Sequence, residues 1–100
     1  MCPVTAYWIN TFTAVHDDEK LAAYIALAGP AMTGAGGRFL ARGTPAAVFE
    51  QATVQRTTLI AFPDVDTAVA AYHCPAYQEA LRALGDGAER EIRIIEGLPT

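Results

Sequence analysis

Gly36-Gly37-Arg38-Phe39-Leu40-Ala41-Arg42-Gly43 is the stretch that decides the fold, because it marks the change from a helix to a strand. The paired glycines are suited to the positive φ angles that a helix C-terminus and a sharp reversal require. Arg38, Leu40 and Arg42 occupy alternate positions, so a regular strand would place all three side chains on one sheet face. Two guanidinium groups are costly to bury without partners, so we expect that face to be solvated or to line a polar cavity that receives anions.

The residues that precede this stretch predict a strand followed by a helix. Residues 4–14 are rich in β-branched and aromatic side chains, and both alternating sets contain large apolar groups. Such a strand is expected in the middle of its sheet. Asp17 or Asp18 should cap the helix, in which apolar residues recur at helical spacing over 21–28. Gly29-Pro30 should then kink it and leave one final turn.

The residues that follow predict a hairpin, a broken helix and a last strand. The second strand stops at Gly43-Thr44-Pro45 and is expected to resume over 46–50, while Val54 to Phe62 forms the third strand and pairs with the second. The second helix should be capped by an aspartate at position 64 or 66 and broken at position 75, where Cys74 caps a further helical piece that begins with Pro75. The last strand is predicted over 91–96.

This order of elements predicts one α+β domain over residues 1–100 with the ferredoxin-like βαββαβ topology. Right-handed crossovers place both helices on one face of an antiparallel sheet. The opposite face carries apolar residues that no further element of the chain covers. A second copy would cover it, so we expect a homodimer of the dimeric α+β barrel type.

Composition excludes several classes of partner. The chain has 100 residues, is 52% hydrophobic and carries a net charge of −4, with Lys20 as its single lysine. It therefore has no basic patch for nucleic acid or an anionic membrane, and no apolar run long enough to span one, which favours a cytoplasmic protein. Cys2 and Cys74 lack metal-ligand spacing, and no phosphate loop or dinucleotide fingerprint follows a strand, so neither a metal nor another cofactor is indicated.

Four segments together resemble the bacterial domain-of-unknown-function family 1330, within the dimeric α+β barrel superfamily, and the likeness covers essentially the whole chain. They are residues 36–43, Arg56 with the strand that ends at Phe62-Pro63, residues 72–78 and Ile95-Glu96-Gly97. The resemblance implies a small homodimer with a ligand cleft at or near the space between the sheets. It implies no settled activity, because relatives in the superfamily include cofactor-free monooxygenases, cyclases and isomerases. The chain departs from the family pattern at His73, Cys74 and Ala76, within residues 72–78.

His73, Cys74 and Tyr77 are the candidate catalytic residues. A thiol at a helix N-terminus is activated by the helix dipole, an imidazole beside it can act as a base, and a phenol can carry a proton. The alternative for the first two is a capping thiol beside a half-exposed histidine, because adjacent residues at a helix start do not normally point together.

The candidate substrate-binding residues are charged or aromatic. Arg38, Arg42 and Arg56 come from neighbouring strands and could form a cluster with Glu50 or Glu96 that binds a carboxylate or enolate. The alternative is a row of exposed cross-strand ion pairs at a sheet edge. The others could orient a substrate in a cleft or simply belong to the core; they are Trp8, Asn10 and Tyr72.

Three functions follow from these features. The first is a cofactor-independent enzyme of the cyclase, isomerase or monooxygenase kind, acting on a small organic acid or ketone in a metabolic or natural-product pathway. The second is a non-catalytic dimeric protein that binds a small metabolite in the same cleft. The third is a purely structural dimer.

Overall fold

The computed structural model describes residues 5–99, so the predictions for Cys2 and for the first residue of the first strand, Val4, lie outside the described part. The elements are β1 (Ala6–Val15), α1 (Asp18–Gly34), β2 (Arg38–Gly43), β3 (Thr57–Phe62), α2 (Val65–His73), α3 (Pro75–Leu84) and β4 (Ala88–Glu96). The strands form one sheet in the order β2-β3-β1-β4, with antiparallel neighbours throughout. The predicted ferredoxin-like α+β fold is confirmed.

The two faces of the sheet differ in burial. Every second residue of β1 from Ala6 to Phe12 is fully buried against the helices, and we call this side the helix face. The residues between them, such as Tyr7 and Ile9, are only partly buried on the outer face. β1 is therefore central in the sheet, as predicted, but within this chain it is covered on one side only.

A bulge in β2 overturns the prediction that Arg38 and Arg42 share a sheet face. Arg38 pairs with Ala61 on the outer face, whereas Arg42 pairs with Thr58 on the helix face, because the register shifts between Phe39 and Ala41. One extra residue in a strand reverses the alternation of every side chain beyond it.

The helix boundaries follow the predicted caps. The Asp17 carboxylate accepts hydrogen bonds from the backbone N–H groups of residues 19 and 20, and Asp64, rather than Asp66, caps α2. Cys74 lies at the junction of α2 and α3, with Pro75 in the first turn and no side-chain cap bond. Helix α1 continues through Pro30 to Gly34.

The turn into β2 uses its two glycines for different purposes. Gly36 has a positive φ of 102°, as expected for a helix C-terminus. Gly37 is required by close packing, since a Cβ there would lie 2.9 Å from a methyl carbon of Ile60 and 2.9 Å from the ring of Phe62. This contact holds the beginning of β2 against β3.

The connection between β2 and β3 is longer than predicted. Residues 46–50 do not resume a strand, and β3 begins at Thr57 rather than Val54, so residues 44–56 form a loop. Phe49 and Val54 in this loop are 78% and 59% exposed. The prediction of strand residues in this segment, which was based on its apolar positions, is therefore wrong, because no neighbouring strand pairs with it.

Aromatic side chains form the centre of the core between sheet and helices. Trp8 packs edge-on against Tyr77 at 5.4 Å between ring centroids and contacts Phe62 at 6.0 Å. Such pairs contribute about 0.5–1.5 kcal/mol each beyond the burial of their area. Trp8 and Tyr77 also line a cavity between α1 and the sheet.

Candidate functional site

A cavity lies between α1 and the helix face of the sheet. Its volume is about 40 Å³, enough for a few water molecules at roughly 10–15 Å³ each. Most of its wall is apolar or aromatic, with contributions from Trp8, Phe12, Ile25, Met32, Phe39 and Ile60. An apolar cavity that accommodates benzene has a volume of about 150 Å³, so a ring-sized ligand requires the side chains around the mouth of this one to move apart.

Asn10 is the polar residue in the middle of that wall. Its position on β1, opposite Thr58 of β3 and Ile92 of β4, places it on the helix face. Asn10 is only 3% exposed, and its Oδ1 has no hydrogen-bond partner among the described residues. A buried polar atom without a partner is costly, so its retention beside a cavity points to a ligand or water that completes the bond.

Arg42 and Arg56 supply positive charge to the cavity. The guanidinium of Arg42 lies 5.0 Å from the centre of the Phe39 ring, and Arg56 is half-buried just before β3. Among the described residues, the ion pairs join His16 to Glu89, Lys20 to Asp86, Arg82 to Glu79 and Arg93 to Glu91. Both cavity arginines are therefore available to an anionic ligand.

Tyr24, Tyr77 and Arg90 form a hydrogen-bonded cluster at the end of the cavity opposite β2. The two hydroxyl oxygens are 2.8 Å apart, and Nη1 of Arg90 donates to Tyr24 at 2.5 Å and to Tyr77 at 2.9 Å. Burial raises the pKa of Tyr77 far above its usual range, and the Tyr24 hydroxyl raises it further against the opposing effect of Arg90. Tyr77 therefore stays protonated.

The remaining predicted site residues lie elsewhere. His73 and Tyr72 border a separate cleft beside β4, which Arg90 also lines. Cys74 is partly buried against the core at the junction of α2 and α3, and it does not line the cavity. Thus the structure brings Trp8, Asn10, Arg42, Arg56 and Tyr77 together and leaves His73, Cys74 and Tyr72 outside.

Arg38 and Glu50 also lie outside the cavity. Arg38 is exposed on the outer face of β2. Glu50 is exposed in the loop over residues 44–56, with a positive φ of 59°. The proposed cluster of three arginines with Glu50 is not formed among the described residues.

Two residues of the site, Tyr24 and Arg90, were not identified from the sequence. Tyr24 fits the apolar stripe of α1, so helical spacing alone assigns it to the core. Arg90 precedes the predicted start of the last strand, yet it lies in phase with Ile92 and Ile94, which also lie on the helix face. An arginine in phase with buried positions of a strand was the signal that could have identified it.

The comparison with known families identifies the chain. The family described as Domain of unknown function (DUF1330) matches residues 5–98. The chain belongs to this family. No curated protein sequence matches this DUF1330 protein.

Solved structures with the same fold are distant in sequence. A Rhodopseudomonas palustris protein of unknown function has a TM-score of 0.73 and 17% identity, covering 98% of this chain and 85% of its own. SnoaB, a cofactor-independent oxygenase from Streptomyces nogalater, has a TM-score of 0.65 and 17% identity over 97% of this chain and 96% of its own. A dimeric Bacteroides fragilis protein of unknown function has a TM-score of 0.57 and 17% identity over 92% and 95% of the two chains. At these identities the likeness shows the fold of the DUF1330 protein.

Two further features bear on partners. Within residues 5–99, no group of three or more His, Cys, Asp or Glu side chains is arranged to hold a metal ion. In the same part of the chain, none of the three helices combines the length and hydropathy of a transmembrane segment.

Proposed function

We propose that the DUF1330 protein is a cofactor-independent enzyme that acts on a small organic acid or ketone in the cavity under α1. The observation that carries the proposal is Asn10, a residue only 3% exposed whose amide oxygen has no partner among residues 5–99, beside a mostly apolar cavity that Arg42 and Arg56 also line. An apolar ring fits the aromatic wall, a carboxylate or enolate fits the guanidinium groups, and a hydroxyl or amino group of the ligand fits Asn10.

The chemistry that suits these groups is proton transfer next to a carbonyl. When a water molecule in the cavity takes that proton, an enolate forms, and the two arginines would stabilise its negative charge. Reprotonation at another atom gives an isomerase, and attack on a second carbonyl gives a cyclase. If the same enolate adds molecular oxygen, the resulting hydroperoxide can lose water with the second hydrogen of that carbon and leave a new carbonyl, which is a monooxygenation driven by the substrate's own electrons. SnoaB, described as a cofactor-independent oxygenase, shares the fold.

The protein is proposed to act as a bacterial cytoplasmic homodimer, with one domain over residues 1–100, in a metabolic or natural-product pathway. Apolar residues of the outer face support the dimer, since Ile9 and Leu59 are neighbours there and Ile95 is 56% exposed. A protein with the same fold from Bacteroides fragilis is described as dimeric.

The proposal is tested with phenylpyruvate, which has an aromatic ring, a carboxylate and an acidic C–H next to a carbonyl. In D₂O, NMR measures the replacement of that hydrogen by deuterium, and an oxygen electrode measures any oxygen uptake. We expect the protein to accelerate exchange and Arg56→Gln to reduce it about tenfold or more, while Arg82→Gln, on the exposed side of α3, leaves it unchanged. Exchange at the spontaneous rate would contradict this activity.

A second function is favoured by one observation. The described residues around the cavity include no carboxylate, imidazole or thiol, and His73 and Cys74 lie outside it. A non-catalytic protein that binds a small metabolite would need none of these groups. Saturable binding of phenylpyruvate in calorimetry, with neither exchange nor oxygen uptake, would support the binding protein instead of the enzyme.

A further inference from the structure

The hydrogen bonds among Tyr24, Tyr77 and Arg90 leave one hydroxyl proton uncommitted. Each phenol has one O–H donor and can also accept, and Arg90 has donors only. Arg90 donates to both oxygens, and a single O–H bridges the 2.8 Å between them. The phenol that accepts from its neighbour therefore keeps its own O–H free, and both rings line the cavity.

The exposure of the two phenols and their bonds from Arg90 indicate which of them can give its proton to a ligand. Tyr77 is 0% exposed and Tyr24 is 6% exposed, and burial raises the pKa of Tyr77 strongly, so Tyr77 is a poor carrier of negative charge. Tyr24 receives the shorter bond from Arg90, whose guanidinium carbon also lies 4.5 Å from the centre of the Tyr24 ring. Tyr24 is therefore the better placed of the two to release a proton to a ligand, and in the arrangement that allows this its own O–H points to the ligand while it accepts from Tyr77 and Arg90.

We infer that Tyr24, rather than Tyr77, is the proton donor of the cavity, and that Tyr77 and Arg90 are its positioning residues. The inference rests on the proposed function and assigns the proton donor for the proposed reaction. In the transfer, the Tyr24 O–H bond breaks and an O–H bond forms on an enolate or phenolate oxygen of the ligand. The electron pair stays on the Tyr24 oxygen, where two hydrogen bonds, from Tyr77 and Arg90, stabilise the new charge until water returns a proton.

The other charged groups around the cavity favour the same ligand. Arg42 and Arg56 are the charged residues that line it, and both are cationic. Arg90 adds a third guanidinium behind the tyrosines. An oxyanion that accepts a hydrogen bond from Tyr24 therefore lies among positive charges, whereas a cationic ligand would be repelled.

The test uses 4-nitrophenol, whose absorbance distinguishes the neutral phenol from the phenolate. The unmodified protein is titrated with the probe at several pH values, alongside Tyr24→Phe, Tyr77→Phe and Tyr7→Phe. Tyr7 is a matched control because it lies on the outer face. Circular dichroism shows whether each variant is folded, and the Tyr→Phe changes keep every ring.

We expect binding to lower the apparent pKa of the probe. Tyr24→Phe should weaken phenolate binding about tenfold and raise the pKa of the bound probe by about one unit, since one charge-assisted hydrogen bond is lost. Tyr77→Phe should move both quantities in the same direction by less, and Tyr7→Phe should move neither.

Two results would overturn the inference in distinguishable ways. Equal binding by Tyr24→Phe and the unmodified protein would reject Tyr24 as the donor and leave the proposed function standing. Failure of the unmodified protein to bind phenolate would reject the donor together with the anion site on which the proposed function depends. Tyr24-dependent binding without phenylpyruvate exchange would confirm the donor and reject the enzyme.

Discussion

Arg38 and Arg42 point to opposite faces of the sheet although they lie four residues apart on one strand, because β2 has a bulge between Phe39 and Ala41. Arg42 lines the cavity under α1, and Arg38 is exposed on the outer face. Arg42 also borders a cleft between the outer face and the loop over residues 44–56, whereas Arg56 lines the cavity and not that cleft, so Arg56 and Arg38 distinguish a ligand under α1 from a ligand between two sheets of a dimer.

Replacing either arginine tests which face binds the anion. Arg56→Ala should weaken binding of 4-nitrophenolate about tenfold, since it removes a charge-assisted contact, and Arg38→Ala should change it by less than twofold. Absorbance titration at constant salt measures both. The reverse order of effects would place the ligand on the outer face.

Asn10 should reduce the stability of the fold and, at the same time, bind the ligand in the cavity. The buried oxygen without a partner costs about 1–3 kcal/mol, and leucine has a similar size without the polar atoms. We expect Asn10→Leu to raise the free energy of unfolding by up to about that amount and to abolish phenylpyruvate exchange. Urea unfolding and the NMR assay measure the two effects. A destabilised Asn10→Leu variant would mean that the amide has a structural partner that the cavity does not reveal.

The sequence was sufficient for the order of elements but not for the details of the site. Caps such as Asp64 and the Cys74-Pro75 junction depend on neighbouring residues, so local patterns predicted them correctly. The bulge in β2 depends on how two strands pair, and no residue type between Phe39 and Ala41 predicts it. Tyr24 and Arg90 are separated by 66 positions, and their contact follows from tertiary packing alone.

The strand residues predicted within the loop over residues 44–56 were wrong for a related reason. Val48, Phe49 and Val54 are apolar and resemble strand residues, but a strand needs a partner with unpaired backbone groups. β3 already pairs with β2 and β1, so no such partner is available to the loop in this sheet.

The cap of α2 should make stability depend on pH in the acid range. Hydrogen bonds from Thr67 lower the pKa of Asp64 below its usual range. A group whose pKa is lower in the folded state stabilises the fold above its unfolded pKa of about 4, and this contribution is lost as the pH falls through the folded value. Asp64→Ala should therefore lower Tm by a few degrees at pH 7, and the difference from the unmodified protein should shrink below pH about 4.

Asp64→Asn is the control for charge, because asparagine caps helices nearly as well as aspartate and does not titrate. Its Tm at pH 7 should be close to that of the unmodified protein. Thermal unfolding followed by circular dichroism between pH 3 and pH 7, a range set around the usual aspartate value of about 4, measures all three proteins. A constant difference between Asp64→Ala and the unmodified protein across this range would show that the carboxylate charge is irrelevant.

The proposed homodimer depends on the outer face of the sheet. Leu59 pairs with Ile9 in the middle of that face, and a charge between two packed sheets would be desolvated without a partner. Leu59→Arg should convert the dimer to monomers in analytical ultracentrifugation while the circular dichroism spectrum stays that of a folded protein. Leu27→Arg is the matched control, since Leu27 is 42% exposed on α1, on the opposite side of the sheet. A Leu59→Arg protein with the same sedimentation coefficient as the unmodified one would exclude this face as the dimer interface.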